Sequence, residues 1–438
     1  MRVSTALTIG VSLALRVFAQ SPAAVGNIPR DTSVSRWTAA YESGIAAGRQ
    51  GNDEEALAIF QRCWDSAYSD EERGLAADNL GETNRRLGHL NDARQWLERS
   101  RQAFSRDPRL SLRLAVAISN LADLDRATGN YSAAERKLRD SLDSPLCDNE
   151  SRGLIRNYLG DLLREEGRSA EAAQLFHETL GSREIPQRLR AGAFIGLADI
   201  DRQHSAWNSS IDKWNAAIEI ARSARDDATE AVALRGLGET WLESGSPARA
   251  EPLLRRSLRM MESAAGMPPE EVAGVHASLA SLYRSMNKLL LAENEWTRAI
   301  DIDRRVLGPG HPQIAILMEM LSDVHSARGQ FGLALDYAER ASEAMRGSFG
   351  ETSMPAAAAL SNQAVIEQRA GDFGSADRHF RLAIGIARSH PEHRSLQSLM
   401  MERYACLLRA MHRSREAKSL LAESNAWKNT ETAALPVK

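Results

Sequence analysis

Pairs of an acidic residue and an arginine three positions later recur in the first half of this 438-residue sequence. Residues three apart lie on the same face of a helix, so the two side chains of each pair can form an ion pair. Each guanidinium group keeps further N–H donors for a second acceptor. The four consecutive pairs are Glu82 with Arg85, Asp123 with Arg126, Asp161 with Arg164, and Asp199 with Arg202.

Two interpretations of these pairs are open. In the structural interpretation, each pair bridges within its helix and to the next helix, and contributes about 0.3 kcal/mol to stability. In the functional interpretation, the arginines bind carboxylates of an extended or helical peptide. Both can hold together, because one arginine has more donors than one acid can accept from.

Asparagine residues form a second candidate set for peptide binding. A side-chain amide both donates and accepts hydrogen bonds, as recognition of a peptide backbone requires. The alternative is an exposed polar position without a ligand. The candidates are Asn79, Asn120 and Asn362.

Helical hairpins must position these residues. Each hairpin has a small residue in its first helix and a second one twelve positions later, where two helices can cross closely. A turn residue between them, usually glycine, supplies a left-handed conformation. Successive first small residues are 37 to 42 positions apart, and they are Gly44, Gly81, Ala122, Gly160, Ala198, Gly238, Ala280, Ser322, Ala364 and Ala405.

Composition excludes several classes of function. The formal net charge of −3 gives no reason to expect nucleic acid as a partner. Only 5% of residues are aromatic, while residues that favour helices are abundant. Motifs for zinc proteases, serine hydrolases or nucleotide binding do not occur. We therefore expect no cofactor, no metal site and no catalytic residues.

The amino terminus resembles a secretory signal peptide. Arg2 precedes an apolar run from Ala6 to Leu15, which is too short to span a bilayer. Ala19, with Val17 two residues earlier, predicts cleavage before Gln20. We expect an exported protein, periplasmic or secreted, without membrane insertion after cleavage. The predicted organisation is a signal peptide at 1–19, a linker at 20–34, a repeat array at 35–424 and a polar tail at 425–438.

The repeated hairpin resembles the tetratricopeptide repeat, and the C-terminal half resembles its kinesin-light-chain subtype. The resemblance to this subtype rests on the segment VLGPGHPQIA, from Val306 to Ala315. The resemblance implies an all-α fold, an α-solenoid that forms a right-handed superhelix of about ten helix-turn-helix hairpins. It also implies an inner groove lined by first helices, toward which the acid–arginine pairs and the asparagines would point.

These observations favour a non-enzymatic scaffold that binds a protein or peptide in its concave groove. One alternative is a structural component of a cell-envelope complex that uses its convex face or its ends. An enzyme is less well supported, because the candidate acids are already paired with arginines. The polar tail argues against end-to-end stacking, so we expect a monomer.

Overall fold

Helices account for the regular structure of the chain. The computed structural model describes residues 32–182, 184–263, 267–390 and 393–433, and these ranges contain helices but no strand. The helices form two compact units, divided between Leu282 and Tyr283. The all-α prediction is therefore confirmed. The predicted signal peptide and residues 20–31 of the predicted linker lie outside the described residues.

The first unit contains six complete helical hairpins and most of a thirteenth helix. Its helices are α1 (Thr32–Arg49), α2 (Asp53–Asp65), α3 (Asp70–Arg86), α4 (Leu90–Phe104), α5 (Ser111–Ala127), α6 (Tyr131–Leu142), α7 (Asn149–Glu165), α8 (Ser169–Gly181), α9 (Gln187–Gln203), α10 (Trp207–Ala224), α11 (Asp227–Glu243), α12 (Pro247–Ser263) and α13 (Pro269–Ser285). Odd-numbered helices from α3 to α11 also pack on one another in sequence, so their exposed faces form a row.

The second unit continues the alternation of first and second helices. Its helices are α14 (Leu289–Leu307), α15 (Pro312–Ala327), α16 (Phe331–Phe349), α17 (Met354–Ala370), α18 (Phe373–Ala387), α19 (Arg394–Ala410) and α20 (Ser414–Ala433). Gly308 follows α14 with a φ of 82°, and the His311 side chain caps α15 by accepting from the Gln313 amide. Pro312 occupies the first turn of α15, as the sequence predicts.

Left-handed turn residues end the first helices of most hairpins. The predicted turn glycines have φ between 74° and 87°, and they are Gly51, Gly88, Gly129, Gly167, Gly245, Gly329 and Gly371. Ser205, Asn287 and His412 take the same conformation, with φ of 58° to 59°, in hairpins that lack the glycine. The predicted left-handed turns are confirmed at these glycines. Three non-glycine residues adopt the same conformation in the remaining hairpins.

Small residues permit the close crossing of helices. An added Cβ on Gly160 would lie 2.7 Å from the Phe176 ring, and one on Gly196 would lie 2.2 Å from the same ring. Serine replaces alanine where its hydroxyl can bond across the crossing: Ser210 Oγ donates to the Ala198 carbonyl at 2.8 Å. Ser322 Oγ donates in the same way to the Ala334 carbonyl.

Two helix boundaries differ from the predicted organisation. The first helix begins at Thr32, so it includes the last three residues of the predicted linker. The last helix continues to Ala433, so it includes much of the predicted polar tail. Apolar periodicity is weak in both segments, which is why the sequence did not indicate them as helix. None of the helices in the described part of the chain is both long and apolar enough to cross a membrane.

Candidate functional site

The predicted acid–arginine pairs form within their own helices. On α3, Arg85 donates to both carboxylate oxygens of Glu82, at 2.8 Å and 2.5 Å. On α5, Arg126 Nε lies 3.2 Å from Asp123 Oδ1. On α9, Arg202 Nη2 donates to Asp199 Oδ1 at 2.8 Å. Helical spacing alone is enough to bring each of these partners together.

Two of these arginines also reach a carboxylate on the next first helix. Arg126 Nη1 donates to Glu165 on α7 at 3.0 Å. Arg202 Nη1 donates to Glu243 on α11 at 2.6 Å. Both acceptors lie five positions after the small residue of their helix, and this acid was not singled out from the sequence. The arginines therefore join neighbouring first helices, as the structural interpretation requires.

The row of charges extends further than the four predicted pairs. Arg235 on α11 lies 3.0 Å from Glu271 on α13, and Ser278 on α13 donates to Glu239 on α11 at 2.6 Å. Sequence reasoning missed Arg235 because it lies four positions before the acid Glu239, whereas the pattern places an arginine three positions after the acid. We use the name charge ladder for eleven residues on α5, α7, α9, α11 and α13, namely Asp123, Arg126, Asp161, Arg164, Glu165, Asp199, Arg202, Arg235, Glu239, Glu243 and Glu271.

Arg164 is the least well bonded arginine of the charge ladder. Its side chain is 4% exposed, yet its ion pair with Asp161 measures 3.6 Å from Nη2 to Oδ1. That distance is too long for a hydrogen bond. Its Nε is buried and has no hydrogen-bond partner among the described residues. A buried guanidinium group with unused donors is costly and points to an acceptor that the protein itself does not supply.

A shallow cleft opens beside the charge ladder, between α5 and α7. Its lining includes Asp123, Arg126, Tyr158, Asp161 and Glu165. Leu138 and Ala134 of α6 also line it. The cleft therefore brings charged and apolar side chains together beside the first helices.

Burial and neighbouring charges shift the pKa values of the charge ladder in different directions. Burial raises the pKa of Glu165 above its usual range, although Arg126 and Arg164 oppose this effect. Burial likewise raises the pKa of Glu243, against the opposing effect of Arg202. Burial alone would also raise the pKa of Asp199, but Arg202 and Arg164 outweigh it and lower that pKa. Burial therefore outweighs the neighbouring arginines at Glu165 and Glu243, whereas the arginines outweigh burial at Asp199.

The three candidate asparagines are all bonded within the protein. Asn79 donates to the Tyr41 hydroxyl at 2.8 Å, and Asn120 donates to Asp78 Oδ1 at 3.0 Å. In the second unit, Asn362 donates to Glu319 at 2.9 Å and accepts from Arg403 at 2.6 Å. Asn120 and Asn362 thus join first helices of successive hairpins. Their role in peptide binding stays a prediction, and the structure gives each of them a structural role as well.

Asp78 is a partner that sequence reasoning did not identify. Burial raises its pKa to about 6, although the hydrogen bond from Asn120 opposes this rise. The pKa of Asp78 is higher in the folded state than in the unfolded state. The contribution of Asp78 to stability is therefore fully present below about pH 4 and is lost as pH rises through the folded-state pKa. The ionised carboxylate therefore destabilises the folded state at neutral pH.

We expect Asp78→Asn to stabilise the protein at about pH 8 by about 1–2 kcal/mol, because the amide oxygen still accepts from Asn120 without a charge. At about pH 4 the two proteins should differ little, since Asp78 is then protonated in the folded state. Urea unfolding followed by circular dichroism at both pH values checks this. An equal gain at both pH values would contradict the proposed ionisation of Asp78.

Comparisons with known proteins bear on the repeat. Residues 119–187 and 271–347 match family models described as tetratricopeptide repeat, and no curated protein matches the chain significantly. Similar solved structures include a Rap protein complexed with Competence and Sporulation Factor, with a TM-score of 0.53, 11% identity, and coverage of 82% of this chain and 98% of that one. The apo form of RapI has a TM-score of 0.50 and 12% identity, over 91% of this chain and 99% of its own. A putative kinesin light chain with TPR-like repeats from Podosopora anserina has a TM-score of 0.41 and 17% identity, over 47% of this chain and 99% of its own.

Proposed function

Because this chain is a tetratricopeptide-repeat protein, we propose that it is an exported, non-enzymatic scaffold that binds a protein or peptide along its first helices. The tetratricopeptide fold is typical of protein-interaction scaffolds. The binding surface of this proposal is the charge ladder of the first unit.

The observation that supports this surface most directly is Arg164. Most arginines of the charge ladder are bonded to carboxylates, but Arg164 makes one long ion pair, and its buried Nε has no partner in the part of the chain that the structure describes. The cleft between α5 and α7 lies close to Arg164, because its lining includes Asp161, the ion-pair partner of Arg164. A purely structural ladder would gain nothing from a poorly bonded buried guanidinium group.

Export is supported by the amino-terminal sequence. The apolar run from Ala6 to Leu15 and the small residue Ala19 are typical of a signal peptide and its cleavage site. We expect the chain recovered from outside the cytoplasm to begin at Gln20, as measured by mass spectrometry of the intact protein. Recovery with residues 1–19 still attached would contradict cleavage at this site.

A structural component of an envelope complex is the second candidate function. Large apolar side chains are exposed on second helices of the second unit, with Leu290 63% exposed, Leu333 50% and Leu382 51%. Such side chains suit contacts made by the outer helices rather than by the charge ladder. An enzymatic role has less support, because carboxylates of the charge ladder are already bonded to arginines or, at Glu239, to a serine.

If the charge ladder is the binding surface, changing its charges should weaken binding of the partner. In Glu239→Lys with Glu243→Lys, two acids of the charge ladder that are 28% and 43% exposed change sign. We expect this variant to lose at least about tenfold in partner capture, which corresponds to about 1.4 kcal/mol. Purified wild-type and variant chains are used as baits, and proteins that cross-link to each are quantified.

A matched control separates the surface from the net charge. Glu219→Lys with Glu262→Lys makes the same change of charge on exposed positions of the second helices α10 and α12. We expect this control to capture the partner as well as the wild type does. If the control loses the partner while the ladder variant keeps it, the outer helices bind and the second candidate function is correct.

A further inference from the structure

The charge ladder carries an excess of negative charge. Its eleven residues comprise seven carboxylates and four guanidinium groups, a formal net charge of −3. The pairs Glu82–Arg85 on α3 and Asp53–Arg86 add no net charge beside it. The excess lies toward α11 and α13. There Arg235 pairs with Glu239 and Glu271, and Arg202, which also bonds to Asp199, pairs with Glu239 and Glu243.

Burial increases the effect of this excess charge. Glu165 and Asp123 are each 9% exposed, and Glu271 is 4% exposed, so water screens these carboxylates poorly. Burial is the largest cause of the raised pKa of Glu165, and the neighbouring arginines do not fully offset it. A cation placed beside these groups would relieve that cost.

Arg164 supplies an independent observation that points to a ligand. Its side chain is more than nine-tenths buried, its Nε has no hydrogen-bond partner among the described residues, and its one ion pair is 3.6 Å long. The charges that act on it are those of Asp199, Asp161, Glu165 and Arg202, so it lies inside the charge ladder. Three of these four charges are negative, which favours a neutral acceptor over an anion.

A peptide backbone carbonyl is a neutral acceptor of this kind. A peptide with basic side chains would also place positive charge beside a surface whose formal charge is negative. We propose that the charge ladder binds a basic peptide segment, whose lysine or arginine side chains pair with Glu239, Glu243 and Glu165 and whose backbone carbonyl accepts from Arg164. This inference rests on the proposed function, and it names the chemistry of the partner.

The charge of this ligand is opposite to the one that the arginines alone suggest. From the sequence, the arginines of the four pairs could bind carboxylates of a peptide. In the structure, Arg126 and Arg202 are each bonded to two carboxylates from two helices. An acidic peptide would have to displace these acids and would meet a net negative charge.

Three short labelled peptides test the inference by fluorescence anisotropy with the full purified chain. They share one sequence except that the variable positions are all lysine, all glutamine or all glutamate. We expect the lysine peptide to bind at least about tenfold more tightly than the glutamine peptide, and the glutamate peptide to bind most weakly. The preference for lysine should decrease as salt is added, because partly exposed charges are screened.

Two pairs of variants locate the binding surface. Glu239→Gln with Glu243→Gln should reduce affinity for the lysine peptide about tenfold and leave affinity for the glutamine peptide unchanged. The matched control Glu219→Gln with Glu262→Gln should leave both affinities unchanged. Arg164→Gln should weaken the lysine and glutamine peptides alike, because the backbone contact is common to both. Circular dichroism establishes that each variant is folded before binding is measured.

Equal affinity for the three peptides, or tightest binding of the glutamate peptide, would overturn the inference. Equally tight binding of spermine, a polyamine without carbonyl groups, would overturn the assignment of a peptide ligand. If the ladder variants lose the cross-linked partner but show no preference for lysine, the proposed function stands and this inference fails. If the partner is captured equally by all variants, the proposed function fails first.

Discussion

Gly196→Leu is expected to destabilise the first unit by about 3 kcal/mol, because a side chain at this position enters space filled by Phe176. Even the Cβ would lie 2.2 Å from Cζ of Phe176, a fully buried residue of α8. Gly160 of α7 lies at the same end of the ring, where a Cβ would be 2.7 Å from Cζ. The end of the ring therefore fits only because both neighbouring helices carry glycine there. Urea unfolding followed by circular dichroism measures the loss.

A matched substitution isolates the cause of this effect. Gly385 also lies inside a helix, α18, but it is exposed, and nothing beyond the adjoining residues and backbone of its own helix lies within 4 Å of the position that its Cβ would take. Gly385→Leu should stabilise the protein by about 0.5–1 kcal/mol, because glycine is a poor helix former.

Phe176→Ala alone should cost about 3–5 kcal/mol through the cavity that it leaves. Combined with Gly196→Leu it should cost less than the sum of the two, since the leucine enters that cavity. Strict additivity would show that Gly196 and Phe176 do not compete for the same space.

Arg202→Met is expected to destabilise the protein by about 2–3 kcal/mol at neutral pH, because it leaves carboxylates without their partner in a poorly hydrated site. Arg202 is 10% exposed and bonds to Asp199 at 2.8 Å and to Glu243 at 2.6 Å. Although burial would raise the pKa of Asp199, Arg202 and Arg164 lower it. A lowered folded-state pKa contributes stability above about pH 4, and this stability is lost as pH falls through the folded pKa.

The loss of stability in Arg202→Met should depend on pH. Wild type and Arg202→Met should differ most near about pH 7 and converge only well below about pH 4, once pH has fallen through the lowered folded-state pKa of Asp199. Arg101→Met is the matched control, because Arg101 also pairs with an acid three positions earlier but is 45% exposed. We expect it to cost no more than about 0.5 kcal/mol. A loss for Arg202→Met that does not change with pH would mean that lost packing, rather than charge, causes it.

The sequence indicated the helices and the close crossings more completely than it indicated the site. Small residues twelve apart and turn residues such as Gly167 are local signals, because they act within one hairpin. The pair Asp199–Arg202 is equally local, and it forms as predicted. The two boundaries at Thr32 and Ala433 were missed, because the flanking segments lack a clear apolar period.

The sequence by itself determined the all-α repeat, its register, and the ion pairs that lie within one helix, since these depend on a spacing of three, four or twelve residues. Only the tertiary structure decided that Arg126 reaches Glu165 and that Asn120 reaches Asp78, 39 and 42 positions away. Neighbouring hairpins must pack before these partners meet, and side-chain spacing in one helix does not encode how the next hairpin is placed. The same packing buried Arg164 among acids without a full set of acceptors. For that reason the charge of the proposed ligand could be argued from the structure and not from the sequence.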